Sequence, residues 1–205
     1  MSRDDARSRA LTHRIAALLL EYPTAELVAQ VPELRGVVAN LPTRALDPLL
    51  DHLATTPLTA LTAEYVETFD LRRKVCPYLT YYAYGDTRER GMALLAFKRA
   101  YRASGLEVNP DELPDHLCVV LEFCATGDLE AGTRLLLEHR AGLELLRLAL
   151  ADRGSPWVGA LTAVCSTLPP LRGDEREAVA RLAAEGPPGE SVGLEPYGAM
   201  AGMPR

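Results

Sequence analysis

Apolar residues recur along most of the chain at the three- and four-residue steps that are typical of an amphipathic helix. The first such stripe consists of Leu11, Ile15, Leu18, Leu19 and Tyr22, and Pro23 ends it. No segment of the sequence shows the strict alternation of apolar and polar residues that a half-buried strand requires. The pattern therefore predicts an all-α fold.

Proline, glycine and capping residues divide the rest of the chain into further predicted helices. Asp86 and Glu89 match a capping box at the start of one helix, and Gly105 supplies a left-handed terminator after it. Pro114 suits the first turn of the next helix, which Gly127 ends. The predicted segments are Thr24 to Val31, Thr43 to Leu53, Leu58 to Phe69, Thr87 to Ser104, Pro114 to Gly127, Asp128 to Leu150, Pro156 to Leu168 and Asp174 to Ala184.

Length and composition predict one compact helical bundle with a flexible tail. A chain of 205 residues can bury one substantial core, and the sequence contains no repeat of solenoid length. Nine of the twenty residues from 186 to 205 are Gly or Pro, and the helical periodicity stops there. We therefore expect a helical domain over residues 1–185 and a flexible Gly/Pro-rich tail over residues 186–205.

Charge, cysteines and hydropathy narrow the class of protein. The net charge of -6 disfavours nonspecific nucleic-acid binding and suits basic partners. The four cysteines form no CxxC pair, which favours reduced thiols over a disulfide framework or a zinc site. The longest apolar stretches, such as Ile15 to Leu20, are too short to span a membrane, and the first residues do not resemble an export signal. These features predict a cytoplasmic protein without stable membrane insertion.

The segment from Tyr65 to Asp86 has the most unusual composition. It holds five of the eight tyrosines together with the basic triplet of residues 72–74. Because tyrosine combines apolar area with a polar tip, this cluster suits a peptide-recognition surface. A packed elbow in the protein core would have the same composition, so both interpretations stay open.

A second candidate segment, LPDHLCVVLEF, runs from Leu113 to Phe123. If the apolar positions from Leu117 to Cys124 are buried, helix geometry places Asp115 on the opposite face and His116 on one flank with Phe123. Asp115 would then either interact with the positive end of the helix dipole or bind a ligand. His116 would either line a groove or be a hydrogen-bonded structural histidine.

The same residues do not form a convincing catalytic centre. Cys118 and Cys124 would lie about 120 degrees apart around a helix, too far to chelate one metal ion together. Cys124 belongs to the predicted buried stripe, where a thiol is inert. The sequence also lacks a glycine-rich phosphate loop, an HExxH pair and a GxSxG elbow. We therefore expect no catalytic residues, no metal site and no enzymatic activity.

Three segments of the chain closely resemble the NarJ family. They are LLLEYP at 18–23, YVETFDLRRKVCPYLTYYAYGDTRERG at 65–91 and LPDHLCVVLEF at 113–123. The Pro-Asp-His element at residues 114–116 is similar to a signature of the wider TorD and DmsD group of molybdoenzyme maturation chaperones. The long run at 65–91 and the ending GLEPYG at 193–198 resemble the nitrate reductase branch of that group.

This resemblance implies a helical chaperone that binds the N-terminal segment of the nitrate reductase alpha subunit and the apoenzyme. It would assist insertion of the molybdopterin guanine dinucleotide cofactor before membrane attachment. The client would carry that cofactor, the chaperone would bind none stably, and cofactor-biosynthesis proteins are further implied partners. The groove would lie near the Pro-Asp-His element, and its implied residues are Tyr65, Phe69, Arg72, Tyr82, Asp86, Pro114, Asp115, His116 and Phe123.

Three alternatives stay open at this point. In the first, the chain is a chaperone whose client is a different molybdoenzyme, such as an S- or N-oxide reductase. A small helical enzyme that uses His116 would instead lose its turnover in a His116→Ala variant. A nucleic-acid regulator that uses the basic residues Arg72, Arg73, Lys74, Arg88 and Arg90 would bind DNA with a steep salt dependence, which the acidic total charge disfavours.

Overall fold

The computed structural model describes residues 2–71 and 75–186, and the regular elements in these ranges are helices. The helices are α1 (Arg3–Leu20), α2 (Ala25–Val38), α3 (Asp47–Thr55), α4 (Leu58–Tyr65), α5 (Leu79–Tyr84), α6 (Arg88–Ala103), α7 (Leu117–Glu122), α8 (Leu129–Glu138), α9 (Arg140–Ala151), α10 (Val158–Ser166) and α11 (Gly173–Glu185). A π-helical turn extends α4 over Val66–Asp70, and another extends α7 over Phe123–Gly127. Within the described ranges the only β-type pairing is an isolated bridge between Tyr78 and His116. The all-α prediction is confirmed. The predicted tail over residues 186–205 lies outside the described residues, apart from Gly186.

The first N–H groups of an α-helix have no acceptor within the helix, and short polar side chains supply one at the start of several helices. Ser2 accepts a hydrogen bond from the Asp5 N–H in α1, and Thr24 accepts one from the Leu27 N–H in α2. Asp128 caps α8 through a 2.9 Å bond from the Ala131 N–H. These caps fix where the helices begin, so the chain between them must turn.

The capping box that was predicted at Asp86 is wrong. α6 begins at Arg88, and its N-cap residue is Thr87, whose side chain does not cap the helix. The Thr87 hydroxyl instead donates to the Tyr84 carbonyl at 2.8 Å. Asp86 is used for a different purpose, because its carboxylate pairs with Arg90 at 3.2 Å. The predicted end of this helix is confirmed, since Gly105 follows α6 with a left-handed φ of 75°.

The predicted start of α7 is also wrong. Pro114 and Asp115 lie before the helix, which begins at Leu117 with His116 as its N-cap residue. The backbone here pairs with a distant segment: the Leu117 N–H donates to the Pro77 carbonyl at 2.8 Å, and the Asp115 carbonyl accepts from the Leu79 N–H at 3.0 Å. As a result Asp115 is 0% exposed and does not lie on a solvent-facing helix surface.

Two other predicted boundaries differ from the structure. The single helix predicted over Asp128 to Leu150 is divided at His139 into α8 and α9. α2 does not end at Val31 but continues through Pro32 to Val38. Its buried face, which includes Leu34, packs against the core on both sides of the proline, and this burial offsets the missing N–H.

The core is organised around α1 and α9. α1 packs along α7 and its π-helical turn on one side and against α10 on another, while α9 packs against α5, α10 and α11. Trp157, which is 1% exposed, anchors an aromatic cluster with the rings of Tyr65, Phe69 and His52. None of the described helices is long and apolar enough to cross a membrane. On one side of the α1 and α7 pair, the connection between α6 and α7 lies across a cleft that both helices line.

Candidate functional site

A cleft of about 710 Å³ opens between α1, α7 and the connection from α6 to α7. Apolar and aromatic side chains form about half of its lining, and Leu106 and Leu113 in that connection are 39% and 42% exposed. Large apolar side chains at the mouth of a concave surface are typical of a binding site. The apolar side chains that line the cleft are Tyr101, Leu106, Val108, Leu113, Cys118, Val119 and Phe123.

Carboxylates surround this apolar lining. The acidic rim of the cleft consists of Glu21, Glu107, Asp111, Glu112 and Glu122. Arg14 is the only Lys or Arg among the described residues of the lining, and its guanidinium is paired with Glu122. The cleft therefore has a negative potential and favours a positively charged ligand.

The floor of the cleft is held by a pair of aromatic rings. The ring of Phe123 packs edge-on against Tyr101 with 4.6 Å between the centroids, and the Tyr101 hydroxyl donates to the Pro114 carbonyl at 2.6 Å. Burial raises the pKa of Tyr101, so this hydroxyl stays a donor at every physiological pH. Phe123 begins the π-helical turn after α7, a local feature that is frequent at functional sites. The floor is thus a fixed apolar surface.

Tyr78 and His116 close one end of the cleft. Their rings meet edge to face with 5.1 Å between the centroids, and the isolated bridge joins their backbones. The guanidinium of Arg90 lies over the Tyr78 ring, 5.6 Å from its centre. Burial lowers the pKa of His116, although the nearby carboxylate of Asp115 opposes that shift. Near neutral pH the imidazole is therefore uncharged and acts as part of an aromatic wall.

Behind this wall, Asp115 connects two helices to the start of α7. Its Oδ2 accepts hydrogen bonds from the N–H and the hydroxyl of Thr80 and lies 3.7 Å from Arg90. Its Oδ1 is buried and has no hydrogen-bond partner among the described residues. Such a carboxylate positions the neighbouring chain and has no exposed surface to offer a ligand.

The residues implied by the sequence resemblance lie in three different places. His116 and Phe123 line the cleft itself. Phe69 and Asp86 line a separate cavity of about 310 Å³, which shares Tyr78 and Leu113 with the cleft. The cleft and this cavity are therefore neighbours along one surface.

The remaining implied residues are buried behind that surface or are not described. Tyr65 is 8% exposed and donates from its hydroxyl to the Leu20 carbonyl at 2.9 Å, and Tyr82 is 1% exposed. Pro114 and Asp115 are buried as well, so in this conformation these four residues support the surface from within. Arg72 lies outside the described residues.

Several residues of the cleft were not singled out from the sequence. Leu106 and Glu112 belong to the stretch GLEVNPDELP at residues 105–114, where exposed apolar side chains alternate with acidic ones. That combination in a connection between helices was the signal that could have identified this side of the cleft. Arg14 could not have been found in this way, because nothing in α1 alone indicates that it faces a cleft.

The chemistry of the cleft suits binding. Cys118 is the thiol in its lining, and burial raises its pKa to about 12, which removes its nucleophilic character near neutral pH. His116 faces a tyrosine ring, and no described group of three or more His, Cys, Asp or Glu residues is placed to hold a metal ion. An apolar floor inside an acidic rim matches an amphipathic segment that carries basic residues.

Comparison with known proteins places this chain in a family. Residues 39–163 match the family described as "Nitrate reductase delta subunit". The chain is 42% identical over 156 residues to the nitrate reductase-like protein NarX of Mycobacterium tuberculosis, covering 74% of this chain but only 23% of NarX. It is 31% identical over 164 residues to the "Probable nitrate reductase molybdenum cofactor assembly chaperone NarJ" of Bacillus subtilis, covering 78% of this chain and 89% of that protein.

Two further comparisons agree with these. The nitrate reductase molybdenum cofactor assembly chaperone NarJ of Escherichia coli K12 is 37% identical over 147 residues, which cover 69% of this chain and 62% of that protein. A crystal structure of a proposed redox enzyme maturation protein from Archaeoglobus fulgidus has the same fold, with a TM-score of 0.59 at 20% identity over 77% of this chain and 91% of the other. The NarJ relatives are named as chaperones, in agreement with the prediction that this chain is not an enzyme.

Proposed function

The chain belongs to the nitrate reductase delta subunit family, and from this premise we propose that it is an assembly chaperone for a respiratory nitrate reductase. It acts in the cytoplasm, where it binds the N-terminal segment of the alpha subunit and keeps the apoenzyme competent for insertion of the molybdenum cofactor. The client carries the cofactor, and the chaperone supplies only a binding surface.

The observation that carries this proposal is the apolar cleft inside an acidic rim. A helical client segment can lay an apolar face on Val119, Phe123 and Leu113, while its basic side chains reach the carboxylates around them. Because charged groups of opposite sign steer encounter and suppress wrong partners, the rim selects segments with a net positive charge. The aromatic wall of Tyr78 and His116 limits how far such a segment extends.

Titration calorimetry of the full chain with a peptide that copies the N-terminal segment of the alpha subunit tests this proposal. The informative variant is Glu112→Lys, which reverses one exposed charge of the rim. Placing a like charge beside a basic peptide is expected to weaken binding by about tenfold or more. Glu33→Lys on the exposed side of α2 is the matched control, because it changes the net charge equally at a distance from the cleft.

The control variant is expected to bind within about twofold of the unchanged chain, since well-separated surface charges are screened by salt. Equal loss in both variants would mean that only the total charge matters and would contradict binding in the cleft. Tighter binding of the N-terminal peptide of an S- or N-oxide reductase would assign a different client to the same cleft.

A further inference from the structure

Arg14 has an unusual position for a cation, since it lies in the lining of a cleft whose other charged residues are carboxylates. It projects from α1, and its guanidinium pairs with the carboxylate of Glu122 at the end of α7. Both side chains are partly open to solvent, at 44% and 40% exposure. The pair therefore stands at the surface of the cleft and is accessible to a ligand.

A second carboxylate, that of Glu21, lines the same cleft as Arg14. Burial raises the pKa of Glu21, and the positive charge of Arg14 opposes that shift. Arg14 thus neutralises part of the rim at the junction of α1 and α7, while Glu107, Asp111 and Glu112 lie in the connection between α6 and α7. The side of the cleft nearest α1 already contains a positive charge of the kind that a basic ligand would bring.

We propose that Arg14 competes with the client segment for Glu122. It pairs with the Glu122 carboxylate until a lysine or arginine of the client replaces it in that ion pair. This inference rests on the proposed function and adds a specificity-determining residue to it. An amphipathic segment without a basic residue at the matching position cannot replace Arg14 and meets a cleft with one carboxylate fewer. Binding is thereby restricted to segments that carry both an apolar face and a correctly placed cation.

The strength of the pair is suited to such an exchange. Ion pairs between partly exposed side chains are weak, so displacing Arg14 reduces the affinity by roughly threefold to fivefold rather than by orders of magnitude. A fully buried pair would resist exchange, because breaking it leaves an uncompensated charge away from water. Arg14 swings into solvent when it is displaced, and its long side chain makes that movement easy.

Two other roles for Arg14 predict different results. If Arg14 binds an acidic residue of the client, its removal weakens binding. If the pair is only a strut between α1 and α7, removal of either partner weakens binding to the same extent. The competitor role predicts opposite signs for the two partners, because the loss of Arg14 frees a carboxylate, whereas the loss of the Glu122 charge frees a repelling cation.

The test is titration of the full chain with the alpha-subunit peptide, at low and at physiological salt, in four single variants, one double variant and the unchanged chain. Arg14→Gln is expected to bind about fivefold more tightly and with a steeper salt dependence, and Glu122→Gln more weakly. Arg14→Lys keeps the competing charge and is expected to bind like the unchanged chain. Arg7→Gln, on an exposed position of the same helix outside the cleft lining, is the control for net charge.

A double variant, Arg14→Gln with Glu122→Gln, shows whether the gain in affinity of Arg14→Gln depends on the Glu122 charge. If it does, most of that gain should disappear in the double variant. Thermal melts of every variant separate binding from folding. Unchanged or weaker binding by Arg14→Gln, or an equal gain in Arg7→Gln, would overturn the competitor role while the cleft keeps its function. Absence of binding in the unchanged chain and all variants would overturn the proposed function and the role of Arg14 together.

Discussion

The Asp115 carboxylate lies 2.5 Å from the hydroxyl of Thr80 and 3.2 Å from its backbone N–H, and this contact ties the start of α7 to the first turn of α5. Arg90 completes the arrangement, with its Nε donating to the Thr80 hydroxyl oxygen at 3.1 Å and its guanidinium 3.7 Å from the carboxylate. Since the same Arg90 lies against the ring of Tyr78, the network sets the position of the aromatic wall of the cleft.

We expect Asp115→Ala to destabilise the protein by about 3 kcal/mol, because it leaves the buried Thr80 N–H and hydroxyl without their acceptor and removes the buried one of the two carboxylates near Arg90. Denaturant unfolding measures this loss. Asp86→Ala removes the other carboxylate that pairs with Arg90, but that one is exposed, so a loss of less than about 1 kcal/mol is expected. Equal losses in the two variants would contradict the central role of Asp115.

The sequence predicted the helices well because helical periodicity is a local property. Stripes such as that of α1 require only residues three and four positions apart. Its central residues Ile15 and Leu19 are buried in the structure, whereas Leu11 and Tyr22 at its ends are exposed. The burial of Asp115 could not be predicted, because it depends on pairing between residues 77–80 and 115–117. The proline-aspartate sequence looked like the start of a helix, but these tertiary hydrogen bonds took its backbone groups.

The candidate site was only partly predictable for the same reason. His116 and Phe123 were expected on one flank of a helix. His116 lies before α7, but both residues line the cleft, since they belong to one short stretch of chain. Tyr82 was grouped with them through the family resemblance, yet it lies in the core against Gly142 of α9. Arg14 reaches the cleft only because α1 packs along α7, a contact between segments that are about one hundred residues apart in the chain.

The close approach of Gly142 in α9 to Tyr82 in α5 supports a second prediction. A Cβ atom at residue 142 would lie 2.8 Å from the Cβ of Tyr82, nearer than side-chain carbons pack. Gly142→Ala is therefore expected to destabilise the protein by about 2 kcal/mol, although alanine favours a helix interior. Gly36→Ala in α2 meets nothing within 4 Å, and a gain of up to about 1 kcal/mol is expected there. Thermal or denaturant unfolding decides between the two signs, and a gain at both positions would contradict the tight packing.

The buried imidazole of His13 predicts a loss of stability in mild acid. His13 is 0% exposed, its Nε2 lies 2.8 Å from the Thr167 hydroxyl, and burial lowers its pKa from 6.5 to about 4. The unfolded chain therefore takes up a proton first, so this contribution is fully present above pH 6.5 and is lost as the pH falls towards 4. Between pH 7.5 and 5 the loss from this residue is about 2 kcal/mol.

The measurement is the unfolding free energy against pH for the unchanged chain and for His13→Gln, which cannot titrate in this range. The variant is less stable at pH 7.5, because a different side chain fills the site, but its stability should fall less steeply over the same window. Parallel curves would show that other groups cause the acid sensitivity. The pKa values of His116 and His139 are also lowered by burial, so a residual slope is expected in the variant.

The cysteines offer a test of whether the folded chain has a reactive thiol. Burial raises the pKa values of Cys118, Cys124 and Cys165 to about 12, and it raises that of Cys76 as well. At pH 8 the thiolate fraction of the first three is roughly a thousandth of that of a free cysteine, so alkylation by iodoacetamide should be slower by a similar factor. Mass spectrometry of peptides after timed alkylation, with the denatured chain as the reference rate, measures each site separately. Fast modification of Cys118 in the folded protein would revive it as a nucleophile in the cleft, whereas modification at the rate of global unfolding would leave the cleft with a binding role alone.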